Sequence, residues 1–443
     1  MKFPFYLTFF VTIFLIVGCT KKPYNDKLGP LDFSRPAVIG GSFLAGYQDG
    51  AICAEGQEHS IPYLFYEMTS NYGGNKLNIP LLRSNEGIGI NLKPWETLFQ
   101  SKSVMGDRTD CNGVVSLGPV KTLYQETWFD DFENNSTDGL YQCYPYMTTN
   151  DIWDVNFGDL NETNPFYRRT ASNPGFSSAA QDLIDANPTF VTIWLGTEDI
   201  YNFAMSGGYE SSITPTSLFR TNLTKLLDSL QAIGTKGVIA TIPSIDHFPF
   251  FNLIPYNGAN VSQADADELN GLYQLSGMNH IEFNEGANGF ITYDDSAPNG
   301  IRQMVQNERL LLTAPLDSMK CYLYGLLVEY LADRYVLDLD EISEIHAATI
   351  SYNNVLKELA DIYDFALFDS DSFFDNLQSG IQWNGVDIDL EFVSGGFLSL
   401  DGINPHQKGH ELLTNEIIKA VNNHYYSKIP TINCFDCDGV LFP

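Results

Sequence analysis

Thr189-Phe190-Val191-Thr192-Ile193-Trp194-Leu195-Gly196-Thr197-Glu198-Asp199 is the stretch that decides the fold. Seven residues rich in β-branched and aromatic side chains stop at a glycine, and two acids follow. A continuous apolar run of this length, without alternation, suits a parallel strand buried on both faces. Its surroundings repeat the pattern. Downstream, Thr214-Pro215 reads as an N-cap and first-turn proline. Phe219, Leu223, Leu226, Leu227, Leu230 and Ile233 then recur at helical spacing up to Gly234. Gly237 to Ile242 (GVIATI) is another buried strand. Ile342, Ile345, Tyr352, Leu356 and Leu359 mark a further helix, followed by the Phe365–Phe368 strand (FALF). Leu413, Ile417, Ala420 and Val421 form the apolar face of a last helix, and upstream Pro36-Ala37-Val38-Ile39 is a short strand breaking at Gly40-Gly41-Ser42. Strand alternating with helix implies an α/β fold: a three-layer sandwich around a mostly parallel sheet. Two stretches rich in Gly, Asn, Tyr and Asp, about 53–156 and 250–336, read as long insertions into one domain.

The N-terminus is of another kind. Lys2 precedes an apolar run from Phe3 to Val17 that ends in Leu15-Ile16-Val17-Gly18-Cys19. About 20 residues are needed to span a bilayer, so this length suits a secretory leader. The ending resembles the lipobox of bacterial lipoproteins, which implies lipidation of Cys19. Thr20 after the cysteine, by the same resemblance, implies a lipid-anchored position at the outer membrane. The expected organisation is a signal peptide over 1–18, a polar tether over 19–32, the α/β domain over 33–428 and a tail over 429–443. Asp+Glu outnumber Lys+Arg by 55 to 24, and the net charge of −31 excludes nucleic acid and charge-driven docking on anionic lipid. It leaves room for a protein partner. Cys53, Cys111, Cys143, Cys321, Cys434 and Cys437 remain, an even number in an oxidising compartment, so disulfides are expected without a readable connectivity. Cys434-x-x-Cys437 reads as a local disulfide rather than a zinc site, because no second pair or nearby histidine accompanies it.

Three strand ends carry polar residues with chemical potential. Ile39-Gly40-Gly41-Ser42-Phe43-Leu44-Ala45-Gly46 holds a serine in a tight turn beside free backbone N–H groups. Gly196-Thr197-Glu198-Asp199 follows the central strand. Ser399-Leu400-Asp401-Gly402-Ile403-Asn404-Pro405-His406 places a carboxylate and an imidazole just before the last helix, a spacing at which one could orient the other.

Together these segments resemble the SGNH (GDSL-type) ester hydrolases, in a variety common among Bacteroidetes lipoproteins. GGSFLAG is similar to the first family block, which implies Ser42 as nucleophile. Asn156-Phe157-Gly158 is similar to the second, whose glycine N–H joins the oxyanion hole. GTED is similar to GxND of the third, and SLDGINPHQKGHELLTNEII to the last, which carries the Asp and His of the triad. The resemblance runs from about residue 33 to 425 and implies a flavodoxin-like sheet and a serine hydrolase of carboxylic (acyl or acetyl) esters. Ser42, Asp401 and His406 would be the triad, and Ser42, Gly158 and Glu198 stand at the oxyanion-hole positions. No cofactor and no metal are expected. The acidic loop Tyr293-Asp294-Asp295 offers oxygen ligands of the calcium type but no ligand set.

The departures are specific. Gly41 stands where the family has aspartate. Glu198 stands where it has the oxyanion-hole asparagine, and an ionised carboxylate cannot donate a hydrogen bond. Asn404 occupies the usual histidine position, three residues after Asp401, with His406 two further on and His410 a weaker substitute. The alternative reading is therefore a catalytically inactive lipoprotein of the same fold. His59, His247, His280, His346 and His424 are scattered without metal-ligand pairings.

Overall fold

A computed structural model describes residues 26–90, 99–122, 138–159, 164–209, 211–327, 329–433 and 440. The leader, Cys19 and the Cys434–Cys437 pair lie outside the described residues. Five short strands, β1 (Pro36–Gly40), β2 (Tyr141–Cys143), β3 (Phe190–Trp194), β4 (Lys236–Ala240) and β5 (Ala366–Phe368), form one sheet in the order β5-β4-β3-β1-β2. Every neighbouring pair is parallel. This is the flavodoxin-like doubly wound order expected from the sequence, with its switch point between β1 and β3. The reading of TFVTIWL as a strand buried on both faces holds: β3 is buried throughout.

Among the helices that frame the sheet and its insertions are α1 (Ser42–Ala45), α2 (Ile61–Ser70), α3 (Thr197–Met205), α4 (Thr216–Ala232), α5 (Gln263–Leu275), α6 (Leu316–Tyr322), α7 (Leu339–Ile362) and α8 (Gln407–Tyr425). The sheet is sandwiched: α2 packs with α8, α4 packs with α7, and both α7 and α8 lie against β4 and β5. The helical stripes read from sequence are the buried ones. Phe219, Leu223, Leu226, Leu227 and Leu230 face the core of α4, whereas Ile233 is its C-cap and is exposed. Asp338 starts α7 with a capping box closed by Glu341, so that acidic run is a helix start. In the Asp294 loop the carboxylate is taken by Arg302 at 2.6 Å and by Ser296 at 2.6 Å. The expected tether is shorter than its 19–32 span: Leu28 and Leu31 are buried in the main core, and Lys428 donates its N–H to the Lys27 carbonyl at 2.8 Å.

The insertions are built differently from one another. The first projects a hairpin (Ser103–Thr109 paired with Val115–Lys121) whose tip exposes Val114, Val115 and Leu117. The second carries a hydrophobic core of its own, separate from the main one, in which Phe290, Leu310 and Leu331 are buried. Cys111 at the hairpin tip is disulfide-bonded to Cys321 in α6, and Arg108–Asp317 and Lys320–Asp110 ion pairs flank the bond. The expected even pairing does not extend further here. Cys53 and Cys143 are buried free thiols, and burial pushes both thiols up, Cys53 to about 11.

The Cys111–Cys321 bond closes a separation of 210 residues, and the chain-entropy model assigns a loop of that size about 5 kcal/mol. The Cys111→Ser, Cys321→Ser pair should lower unfolding stability by about 2–5 kcal/mol in non-reducing denaturant titrations. A change under about 0.5 kcal/mol, the scale of ordinary surface substitutions, would show that the ion pairs alone hold the insertions together.

Candidate active site

Gly40 ends β1, and the chain turns at once into the single-turn helix α1, whose first residue is Ser42. Across the switch point β3 leads to Gly196, which N-caps α3 at φ +101°. A side chain there would strike the Phe219 ring at 2.7 Å, so position 196 needs glycine on two counts. The turn delivers Glu198 to Ser42. The Ser42 backbone N–H donates to Glu198 Oε1 at 2.6 Å in a buried contact. A methyl group added at Gly41 would sit 2.1 Å from the same carboxyl group. Gly41 and Glu198 are thus one feature: the space a side chain at 41 would use is filled by the carboxyl that reaches Ser42. Burial raises the Glu198 pKa to about 7, against the opposing pull of the Ser42 N–H and hydroxyl. Its neighbour Asp199 has an anchoring place, accepting from Thr149 Oγ1 at 2.6 Å and Thr149 N–H at 2.8 Å, which ties the segment after β2 to α3.

The loop before α8 assembles around Asp401. This half-buried carboxylate accepts from the N–H groups of Ile403 (2.9 Å), Asn404 (2.7 Å) and Gly50 (3.2 Å), and from Asn404 Nδ2 (3.0 Å). Burial raises its pKa, while these donors pull it down. The side chain oriented by Asp401 is therefore Asn404. The Asp401–His406 pairing expected from the sequence is not what this loop builds. His406 instead N-caps α8 by position, its N–H bonded to the Phe397 carbonyl at 2.8 Å, and its imidazole groups with those of His59 and His410. His410 is fully buried and held neutral, its pKa lowered to about 3 by burial and then by those two neighbours. Because Asn404 Nδ2 faces a carboxylate, its Oδ1 must face away, and among the described residues this buried oxygen has no hydrogen-bond partner.

Gly158 closes a 3-10 turn and packs on the Tyr167 ring. The segment that leaves β2 beside Ser42 is Tyr144-Pro145-Tyr146, and the Tyr144 N–H still bonds to the Gly40 carbonyl at 3.0 Å. Tyr146 is the residue missed from sequence. It adopts φ +64°, its phenol is raised by burial and then by the charges of Asp401 and Glu198, and it bonds Tyr47 across 3.2 Å. Tyr47 spends its one proton on the Gly50 carbonyl at 2.7 Å, so Tyr146 is the donor of the pair. The only signal for Tyr146 was its place after a three-residue strand within an apparently irregular insertion.

Asp401, Asn404, Tyr47 and Tyr146 line a cleft of about 790 Å³. Its far walls are the insertions, with Arg108 and Lys121 from the hairpin and Phe250, Leu312 and Asp317 from the second. Desolvation lowers the Lys121 amine, and Asp401 and Asp49 pull it back. Asp49, buried beside Asp401 and accepting the Leu400 N–H at 2.9 Å, is raised to about 7.

No protein-family model and no curated protein matches the sequence. Among solved structures, the chain is similar to an α/β hydrolase enzyme from the metagenome of Lake Arreo, Spain (10% identity, TM-score 0.36, 88% of this chain and 96% of that one). It is also similar to a protein described as a GDSL-like lipase from Parabacteroides merdae (10% identity, TM-score 0.35, 89% and 99%). A third is an acetyl xylan esterase (12% identity, TM-score 0.28, 63% and 81%).

The Gly41–Glu198 contact has a thermodynamic signature. Gly41→Ala should destabilise by about 1–3 kcal/mol, the cost of forcing a group into filled space, and Glu198→Ala should remove most of that cost in a double-mutant cycle. Additive effects in denaturant titrations would mean the two positions are independent. Raised above its ordinary 4.5, Glu198 contributes stability that is full below that pH and is lost as pH rises through about 7. His410, lowered from 6.5, works in the opposite sense, its contribution being lost as pH falls from 6.5 toward about 3.

Proposed function

We propose that the mature chain is a lipid-anchored serine hydrolase of carboxylic esters, of the SGNH type, held at low activity by its own Glu198. One observation carries this reading: the Ser42 N–H, the donor an acyl oxyanion would need, is bonded to Glu198 Oε1 at 2.6 Å. Attack of Ser42 Oγ on an ester carbonyl, with the hydroxyl proton passing to water and the alcohol leaving as the adduct collapses, places transient negative charge on the carbonyl oxygen beside that N–H. An ionised Glu198 opposes this charge and competes for the donor. A protonated Glu198 removes the repulsion. With a pKa near 7 the carboxyl changes state across neutral pH, so hydrolysis should be faster at about pH 5.5 than at about pH 8. The cleft lined by Asp401, Asn404 and Tyr146 mixes apolar residues such as Phe250 and Leu312 with polar ones, which suits an ester with a polar portion.

A second reading has its own observation. The Asp401 carboxylate holds the Asn404 amide at 3.0 Å, and an amide does not take up the serine proton. On this reading the fold is kept for binding, without turnover.

Short-chain acyl ester hydrolysis and fluorophosphonate labelling of Ser42 separate the two. Glu198→Asn restores a donor and should raise activity by up to about 10²–10³. Glu198→Gln should flatten the acid preference, Asn404→His added to Glu198→Asn should raise activity further, and Ser42→Ala should abolish it. Labelling absent from the parent at every pH but present in Glu198→Asn, Asn404→His supports the binding reading. Its absence there as well rejects a serine-hydrolase scaffold. Anchoring has a separate measurement: Cys19→Ala should lose lipid labelling and membrane retention, and a variant that stays membrane-bound would refute the anchor.

A further inference from the structure

A second cavity, of about 700 Å³, lies within the second insertion and belongs to none of the chemistry above. Three segments surround it: α5 (through Leu269 and Leu272), α6 with the turn after it (Leu316, Met319, Leu326), and the strand Ala259–Val261 facing Phe290. Enclosure by separate elements makes this a cavity between helices rather than a flat apolar face, and its lining is mostly aliphatic. The exposed side chains of Leu275 and Tyr322 extend the apolar surface next to its lining helices. Helix α6 is the wall between this cavity and the cleft, and Leu316 lines both.

We propose that this cavity binds a single long acyl chain whose head group is uncharged. The class of head group follows from the lining. Asp265 and Glu268 stand on the α5 side, where they oppose a carboxylate, and the lining cation, Lys320, is held by Asp110 at 2.6 Å. An esterified chain meets no such repulsion, whereas a free fatty acid does. Helix α6 separates the bound chain and its head group from the cleft, so this site does not rest on the hydrolase-type reading above.

The test is binding without turnover. The full chain carrying Cys19→Ala and Ser42→Ala, in detergent-free buffer, is titrated calorimetrically with monoacylglycerols from octanoyl to dodecanoyl and with the matching fatty acids at about pH 8, where the acids are ionised. Affinity for the glycerides should rise about fourfold per methylene, the transfer free energy of one buried methylene expressed as a ratio. The acids should bind more weakly than the glycerides. Leu272→Glu, at a partly exposed helix position, should weaken binding at least tenfold while the circular dichroism spectrum stays unchanged. Leu269→Trp, which fills the cavity, should do the same where it folds. Affinity independent of chain length, or unaltered by Leu272→Glu, overturns the proposal. So does association with phosphatidylcholine vesicles in the absence of monoacylglycerol binding, which would make the apolar surface a membrane contact. Loss of ester hydrolysis in every Glu198 variant with chain binding intact would fault the catalytic reading and leave this one standing.

Discussion

A carboxyl group buried against the first backbone N–H of α1 is the constraint around which the site is arranged. Glu198 can reach Ser42 only because Gly196 turns the chain at φ +101° and because Gly41 leaves the space empty. Each of these residues has its own steric reason, and together they explain why two departures from a resembling motif occur at once. A side chain at 41 and a glutamate at 198 compete for one volume. The exchange is therefore best understood as a single structural event, in which a carboxyl crosses the switch point from β3 to β1 and lands where a substrate's charge would develop. Electrostatics then sets its state. Removing a carboxylate from water disfavours its ionised form, and one short N–H bond only partly offsets that cost.

The same physics recurs along the whole carboxyl edge of the sheet. Asp49 and Asp199 are buried there and Asp401 is half-buried, and desolvation raises each. Each is compensated differently: Asp401 by four donors, Asp199 by Thr149, and Asp49 by the Leu400 N–H and the distant pull of lysines. The charge of Asp401 adds to burial in raising Asp49. In a chain with a net charge of −31, placing several carboxyls in one buried region works against folding at high pH unless some stay protonated. Lys121 faces both Asp49 and Asp401, Lys102 also acts on Asp49, and both lysines are delivered by an insertion rather than by the sheet.

How much of this was legible in the sequence depends on the range of the interaction involved. Parallel strands buried on both faces announce themselves locally, and TFVTIWL and GVIATI required no partner to be read. The helical stripes of α4 and α7 were equally plain, as was the capped start at Asp338. Residues whose meaning comes from distant contacts were not. Tyr146 gains its role from Tyr47, Glu198 and Asp401, and its three-residue strand is too short to show a period. The Cys111–Cys321 pairing spans 210 residues, and no spacing rule could select it over the other cysteines. Gly158, expected from a short glycine motif, closes a 3-10 turn against the Tyr167 ring, a contact that no local pattern announces. The placement of His406 is set locally. Pro405 separates it from Asn404, and the Asn404 N–H and amide have already taken the Asp401 carboxylate, so the imidazole is carried to the start of α8 beside His410.

The insertions complete the logic of the fold. An open parallel sheet supplies a switch point but only a shallow ligand site, since its strands end in solvent. Here the hairpin and the second insertion rise from different points of the chain and meet above that edge. A hairpin whose own strands expose Val114, Val115 and Leu117 has little apolar surface with which to fix its position. Covalent attachment at its tip supplies what packing does not, and the Arg108–Asp317 and Asp110–Lys320 pairs set the register of the two insertions around the bond. The helix that receives the disulfide, α6, is also the wall between the cleft and the apolar cavity. One cross-link therefore positions both ligand-sized spaces relative to Ser42, although no residue of α6 belongs to the sheet that carries the serine.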